Sequence, residues 1–313
     1  MSPQHLNISV DESDICQVGI DTGGTFTDFV VAFPQSGKLI DFKVPSVPSD
    51  PAAAVAHGLD RLATEFAVRP EFIARLIFGT TVATNAVLEH DGSHSALVAT
   101  TGTRDVLEIQ RSWRRRLFDL ELQSPPPLVA RRDRHEVLER ISADGSTVTE
   151  LTETEADRVA KQALGVGCEA VAVCLLFSFL APTHEQMLRA AIKRRAPAVH
   201  ISLSSEVCPE FREYERTSTT AMNAYVSAKI ARLLDRLSEQ LGQRQLLAPL
   251  GILQSNGGVM SANHARRFPV NTLLSGPAGG VVGASKAAAL AGLDNVITMD
   301  MGGTSLDVCL VQG

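Results

Sequence analysis

The chain has 313 residues, enough to bury a sizeable core and, by ordinary domain sizes, to hold about two domains. Hydrophobic residues make up 44% and charged residues 20%, as in a globular protein, and a net charge of −6 argues against a general nucleic-acid or anionic-membrane surface. The longest apolar run, Ala170 to Ala181, is too short to cross a bilayer. After a polar segment, residues 1–17, the run Val18–Val31 reads as two strands joined by a tight turn at Gly23-Gly24, and Lys38–Val44 as a third strand. Ser49-Asp50-Pro51 supplies a cap and a proline at the first helical position. The helix it opens places Ala52, Val55, Ala56, Leu59, Leu62, Ala63 and Phe66 on one face. Strand Leu76–Phe78, helix Val82–Leu88, strand Ala96–Thr100 and helix Arg104–Gln110 follow, an alternation that predicts a mainly parallel sheet faced by helices. Pro125-Pro126-Pro127 marks a rigid break. Beyond it Arg134–Arg140, the turn Asp144-Gly145 and Thr147–Thr149 predict an inserted hairpin near 131–150. Helix Glu153–Leu164, strand Ala170–Leu176, helix Thr183–Arg194 and strand His200–Ser204 resume the pattern. One long helix then spans Glu210 to Leu241, with Gly242 as its stop. Strand Leu250–Gln254 leads to Ser255-Asn256-Gly257-Gly258, Ser275-Gly-Pro-Ala-Gly-Gly280 opens a helix to about Leu290, and strands Asn295–Met301 and Leu306–Val311 follow.

Two stretches are copies of one device. Asp-x-Gly-Gly-Thr-x-x-Asp occurs as Asp21, Gly23, Gly24, Thr25 and Asp28, and again as Asp300, Gly302, Gly303, Thr304 and Asp307, each inside apolar strands. A strand ends at a carboxylate, turns through two glycines, offers a hydroxyl and enters a second strand. Paired glycines let backbone N–H groups approach an anion, and a carboxylate can hold hydrated magnesium beside phosphate oxygens. A single copy would be an ordinary turn; two copies point to a clamp for a nucleoside triphosphate. Asp21 and Asp300 are then the catalytic carboxylates, holding Mg2+ through water. Thr22, Gly23, Gly24, Thr25, Thr27, Asp28, Gly302, Gly303, Thr304 and Asp307 form the surrounding ATP site.

Other clusters carry two readings each. Gly79, Thr80, Thr81, Thr84 and Asn85 crowd a strand-to-helix junction, suited either to an anion or carbonyl or to helix capping by Thr81. Ser275, Gly276 and Gly279 open a helix, where free N–H groups meet phosphate or substrate, or where glycine serves close helix–sheet packing. Asn256 joins these as a substrate candidate. Glu213, Glu215 and Arg216 read as first-turn charges complementing the helix dipole. His90 and His94 flank a turn without further ligands for a metal. Arg111 with Arg114, Arg115 and Arg116 reads as a solvated helix end, and Ser275 has no nucleophile-elbow context. Five cysteines, Cys16, Cys168, Cys174, Cys208 and Cys309, form no C-x-x-C pair, and residues 1–15 lack a signal-peptide pattern. Both features lead to the expectation of a cytoplasmic protein with reduced thiols, engaging neither nucleic acid nor membrane.

From Val18 onward the chain resembles the hydantoinase/oxoprolinase family, the ATP-dependent subunits of N-methylhydantoinase, 5-oxoprolinase and acetone-type carboxylases. The resemblance rests on Val18–Val31, Gly79-Thr-Thr-Val-Ala-Thr-Asn-Ala86, Asp105-Val-Leu-Glu-Ile109, the run Pro209–Thr220, Gln254-Ser-Asn-Gly-Gly258 and Leu274-Ser-Gly-Pro-Ala-Gly-Gly280. It implies an α/β, ribonuclease-H-like ATPase fold of the actin and sugar-kinase type, duplicated, with the second half only begun here. It divides the chain into an N-terminal region at 18–205 and the start of the hydantoinase A region at 206–313. The implied activity is ATP-dependent hydrolysis of a cyclic amide, a hydantoin or 5-oxoproline, by phosphorylation of the ring carbonyl. Alternatives are the ATP-using subunit of a ketone carboxylase, or a catalytically incompetent chain serving binding or assembly. A hydantoinase B-type partner subunit is implied, and self-association is left open. The second motif departs from the first in having Leu306 where Thr27 stands, and Thr103 occupies a position where the family usually carries an aromatic residue. Relatives of this family continue for about as many residues again. The 313 residues alone are therefore expected to bind ATP weakly and to expose Val296, Ile297 and Val308.

Overall fold

The computed structural model describes residues 15–112, 118–119, 121, 125–301 and 306–313. Arg114, Arg115, Arg116, Gly302, Gly303 and Thr304 lie outside the described residues. The chain forms two compact units. One contains the residues up to Thr84, Ile230–Arg266 and Asn271–Gly313; the other contains Asn85–Lys229 and Arg267–Val270.

In the first unit, β1 (Cys16–Thr22), β2 (Phe26–Phe33) and β3 (Lys38–Pro45) form an antiparallel meander. Strand alternation buries Val18, Ile20, Phe29, Val31 and Phe33, and puts Gly19, Asp21, Asp28 and Val30 on the opposite face. Helix α1 (Pro51–Glu65) packs on β2 and β3 through Ala52, Val55, Leu59 and Leu62. Asp50 does not cap α1 with its side chain; its carboxylate lies 3.3 Å from Arg236 instead. Strand β4 (Ile73–Thr80) runs parallel to β1 and leads into α2 (Val82–Leu88), whose Val82 N–H donates to Thr80 Oγ1 at 3.2 Å. Thr80 therefore supplies a side-chain acceptor at this helix start.

The second unit has its own sheet. β5 (Ser95–Thr100) is followed by the short α3 (Val106–Ile109), by β6 (Arg134–Val137) and by the pair β7 (Arg140–Ile141) and β8 (Thr147–Thr149). Next come α4 (Glu153–Ala163), β9 (Ala170–Cys174), α5 (Thr183–Arg195), β10 (His200–Leu203) and α6 (Ser204–Val207). The four-stranded order is β10-β9-β5-β6, all parallel. The expected hairpin is therefore split: Arg134–Val137 is an edge strand beside β5, and only Arg140–Ile141 pairs with Thr147–Thr149. Val98, Val171, Val173, Leu188 and Ile192 anchor the main core of this unit, with Ala156 and Ala160 of α4.

Helix α7 (Glu213–Gln243) belongs to the second unit as far as Lys229 and to the first from Ile230, and it passes through Gly242 without stopping there. Its Arg216 is buried, donating to Leu175 O, Ser178 Oγ and Ser204 Oγ, so it is a packing residue rather than a solvated first-turn charge. Back in the first unit, β11 (Leu250–Leu253) lies parallel to β4 and pairs with β12 (Val259–Ser261). The six-stranded order is β12-β11-β4-β1-β2-β3. Three antiparallel strands followed by parallel β4 and β11 make a ribonuclease-H-like half, with β11 supplying the position next to β4. After α8 (Ala262–Arg267), α9 (Ser275–Leu290) packs on β4, β11 and the antiparallel pair β13 (Asn295–Met301) and β14 (Leu306–Gln312). Ile297 and Val308 are exposed as expected and Val296 is half-buried, while Met299, Met301, Leu306 and Leu310 are exposed as well. Among the described residues no helix is long and apolar enough to cross a membrane.

Candidate functional site

The first motif is a β1–β2 hairpin whose register sets Asp21 directly opposite Asp28 and Thr22 opposite Thr27. The second repeats the arrangement, with Asp300 opposite Asp307 across β13 and β14. Directly opposed like charges destabilise an antiparallel pair, so two such pairs at matched positions ask for a cation. Asp21 shows the strain. Solvent reaches the residue, but surrounding protein removes enough water from its carboxyl to push its pKa up, and the charges of Asp28 and Asp300 add to the shift.

Glycines make room around these carboxylates. A Cβ on Gly79, the β4 residue paired with Asp21, would lie 2.9 Å from Asp21 Oδ1. One on Gly276 would lie 3.8 Å from the same oxygen, and one on Gly280 would lie 3.9 Å from Asp300 Oδ2. The start of α9 thus passes close to both leading aspartates. Gly276, Gly279 and Gly280 line a cavity of about 280 Å³ with Asp21, Asp28 and Gly79. Gly280 also lines a larger groove of about 660 Å³, with Asp300, Asp307 and the apolar Ile297, Met299 and Val308. That groove is of the size that holds a small organic ligand.

The remaining candidates divide between lining and bracing. Ser275 is buried and its Oγ donates to Thr80 O at 3.3 Å; Leu274 N–H, one residue earlier, donates to Thr84 Oγ1 at 2.9 Å. Thr81 Oγ1 donates to Thr22 O at 3.3 Å. Ser275 and Thr84 fasten the start of α9 to the end of β4 and to α2, while Thr81 ties the same junction to the end of β1. Thr27 is fully buried and shares a 3.0 Å hydrogen bond with Ser46, whose hydroxyl also donates to Gly23 O at 2.8 Å and whose N–H donates to Thr25 O at 2.9 Å. Ser46 therefore braces the first turn, a role no local pattern around it announces. The buried Thr22 hydroxyl has no hydrogen-bond partner among the described residues. Gly24 and Thr25 are exposed at the turn. Asn256 accepts from Gly258 N–H at 2.9 Å and so shapes its own turn, and Asn85 falls in the second unit.

Asp28 lies 3.6 Å from Lys43 and His94 lies 3.4 Å from Asp133. Among the described residues no three His, Cys, Asp or Glu side chains gather closely enough to chelate a metal directly. A divalent cation at Asp21 and Asp300 would accordingly be held through water, and the all-oxygen donors suit magnesium. The glycine-cleared space and the opposed carboxylates fit such an ion.

The model of the hydantoinase/oxoprolinase N-terminal region matches residues 17–196, and the hydantoinase/oxoprolinase model matches residues 216–313. The chain belongs to the hydantoinase/oxoprolinase family. The family regions follow the linear motifs, whereas the compact units interleave them. Among relatives in this family, the chain is similar to the caprolactamase alpha subunit of Pseudomonas jessenii, 39% identical over 306 residues covering 95% of this chain and 43% of the relative. It is similar to 5-oxoprolinase 1 of Arabidopsis thaliana, 33% identical over 328 residues covering 94% of this chain and 25% of the relative. Its fold matches the crystal structure of the ATP-dependent caprolactamase from Pseudomonas jessenii with a TM-score of 0.83 at 36% identity, covering 95% of this chain and 44% of the other. It matches the nucleotide-free structure of acetone carboxylase with a TM-score of 0.86 at 26% identity, covering 96% and 44%. The chain spans less than half the length of these relatives.

Proposed function

We propose that this chain carries the ATP site of an enzyme that opens a cyclic amide, and that the repeated opposed aspartate pairs flanking the start of α9 are the observation that carries the proposal. A ring amide is a poor electrophile. Transfer of the terminal phosphoryl group of ATP to the carbonyl oxygen releases ADP and leaves an electrophilic imidate phosphate. Water adds to its carbon, the C–N bond breaks as the ring nitrogen takes up a proton, and a second water hydrolyses the resulting acyl phosphate to carboxylate and phosphate. Asp21 and Asp300 hold magnesium through water, and Asp28 and Asp307 add charge that the cation offsets. Magnesium, when bound, supplies neutralisation of the phosphate charge, the main requirement of phosphoryl transfer. The N–H groups in the first turn of α9 face phosphate oxygens, and the Gly23-Gly24 turn offers N–H groups to the same anion. A relative named as a subunit alpha supports a partner subunit, which the family resemblance leads us to propose is of hydantoinase B type.

Ketone carboxylation is the second reading, supported by the fold match to acetone carboxylase. The higher identity to caprolactamase favours the amide. The test is phosphate release by the intact protein with any subunit that co-purifies. Caprolactam, 5-oxoproline or a hydantoin should accelerate release without bicarbonate; a requirement for a ketone and bicarbonate would establish the second reading instead. Asp21→Asn should reduce turnover by on the order of 10²-fold or more. Full turnover in that variant would remove Asp21 from the site.

A further inference from the structure

The second unit holds a cavity of about 790 Å³, larger than either cavity beside the aspartate pairs and sharing no residue with them. Five arginines line it, Arg104, Arg131, Arg132, Arg134 and Arg158, against two carboxylates, Glu136 and Glu155. Asp105, Glu108 and Asp133 beside the lining pair with Arg104, Arg131, Arg132 and Arg134, so the cavity concentrates guanidinium groups rather than a large net charge. Two of the arginines are oriented by groups that occupy only part of each guanidinium. Arg131 gives Nε and Nη2 to Asp105 at 2.9 and 3.0 Å. Arg134 gives Nε to Val129 O at 3.0 Å and pairs through Nη2 with Glu108 at 3.0 Å. Arg158, by contrast, is engaged at all three nitrogens, by Glu155, Gln162 and Glu136 O.

Arg134 is the unusual member. Its side chain is 1% exposed, yet Nη1 has no hydrogen-bond partner among the described residues, the oxygen of Asp105 lying 3.7 Å away. A buried charged donor without an acceptor is costly and calls for a ligand or a reason. Arg104 and Arg132 stand more open, with 37% and 86% of their side chains exposed, and reach Asp105 and Asp133 only at 3.9 and 3.6 Å. Two accessible guanidinium forks near a buried third are suited to bidentate contact with planar or tetrahedral anions. The volume is in the range of a small-molecule site.

We propose that this cavity binds a small, multiply charged anion, a polyphosphate or a polycarboxylate, through Arg104 and Arg132, with Arg134 supplying buried positive charge. The site is independent of the nucleotide site, and its test keeps the two apart. Calorimetry on the intact protein at low ionic strength would use pyrophosphate in one arm and tricarballylate in the other. The expected result is stoichiometric binding of at least one anion, weakened at least tenfold in the Arg104→Gln/Arg132→Gln double variant and unchanged in Asp21→Asn. The thermal midpoint of the double variant should match wild type, because both side chains are solvent-accessible. Preference for one probe assigns phosphate or carboxylate. Binding of neither anion, wild-type affinity in the double variant, or a loss that follows Asp21→Asn alone would overturn the proposal.

Discussion

Asp21 faces a second carboxylate across the strand, crowds two glycines and has its pKa pushed up by burial, then by Asp28 and Asp300. The residue is therefore a burden on the metal-free protein even though the proposed chemistry depends on it. Replacing one of two opposed like charges on a strand pair is worth about 0.2–1 kcal/mol. Asp21→Asn should accordingly raise the urea midpoint of the metal-free protein slightly while abolishing turnover; a lower midpoint would mean that the carboxylate serves packing. The aspartates were legible because a motif of eight residues occurs twice. The bracing hydroxyls were not. Ser46 meets Gly23 and Thr27 only after β3 has paired with β2, and Thr27, expected among the ATP contacts, belongs to the alternation that points into the core.

Helix α1 shows what periodicity reads well and what it misses. Its apolar face was visible, and Ala52, Val55, Ala56, Leu59 and Leu62 are buried as that face requires. Gly58, unremarkable in sequence, sits under Phe29, which is fully buried and stacks on Phe42 at 4.9 Å. Alanine at a helical glycine gains about 1 kcal/mol of propensity. Here its Cβ would fall 2.1 Å from the Phe29 ring, and overpacking a filled core costs about 1–3 kcal/mol. Gly58→Ala should therefore be destabilising by up to about 2 kcal/mol in equilibrium urea unfolding, and a stabilised variant would show that the ring has room to move. Strand β6 was misassigned for a related reason. A turn signal at Asp144-Gly145 draws a local partner to mind, but the β5–β6 pairing is made across a long loop and leaves no local pattern. Position within a sheet is likewise silent in sequence: nothing in Ala96–Thr100 says that it joins a different sheet from Leu76–Phe78.

Across the molecule, carboxylates held by arginines set the response to acid. Burial works to raise the Glu206 pKa, but hydrogen bonds from Arg189 and Arg267 outweigh it and hold it below the usual range. A folded-state pKa below the unfolded one gives stability that is present above the unfolded value and lost as pH falls through the folded one. Glu206→Gln should cost about 1 kcal/mol at pH 7, and the gap to wild type should close below about pH 4. A gap that persists in acid would assign the loss to packing. The sheet order has a different consequence, one that concerns time. β11 occupies the place beside β4, yet it follows almost the whole second unit in the chain. A ribosome adding ~5–20 residues per second needs on the order of ten to thirty seconds to travel from Thr80 to Leu250. Throughout that interval the backbone groups of Leu76, Ile77 and Phe78 that will meet β11 have no native neighbour, the condition under which strand edges find wrong partners. The newborn chain is most open to mispairing in mid-synthesis, while the second unit is already able to collect its own strands.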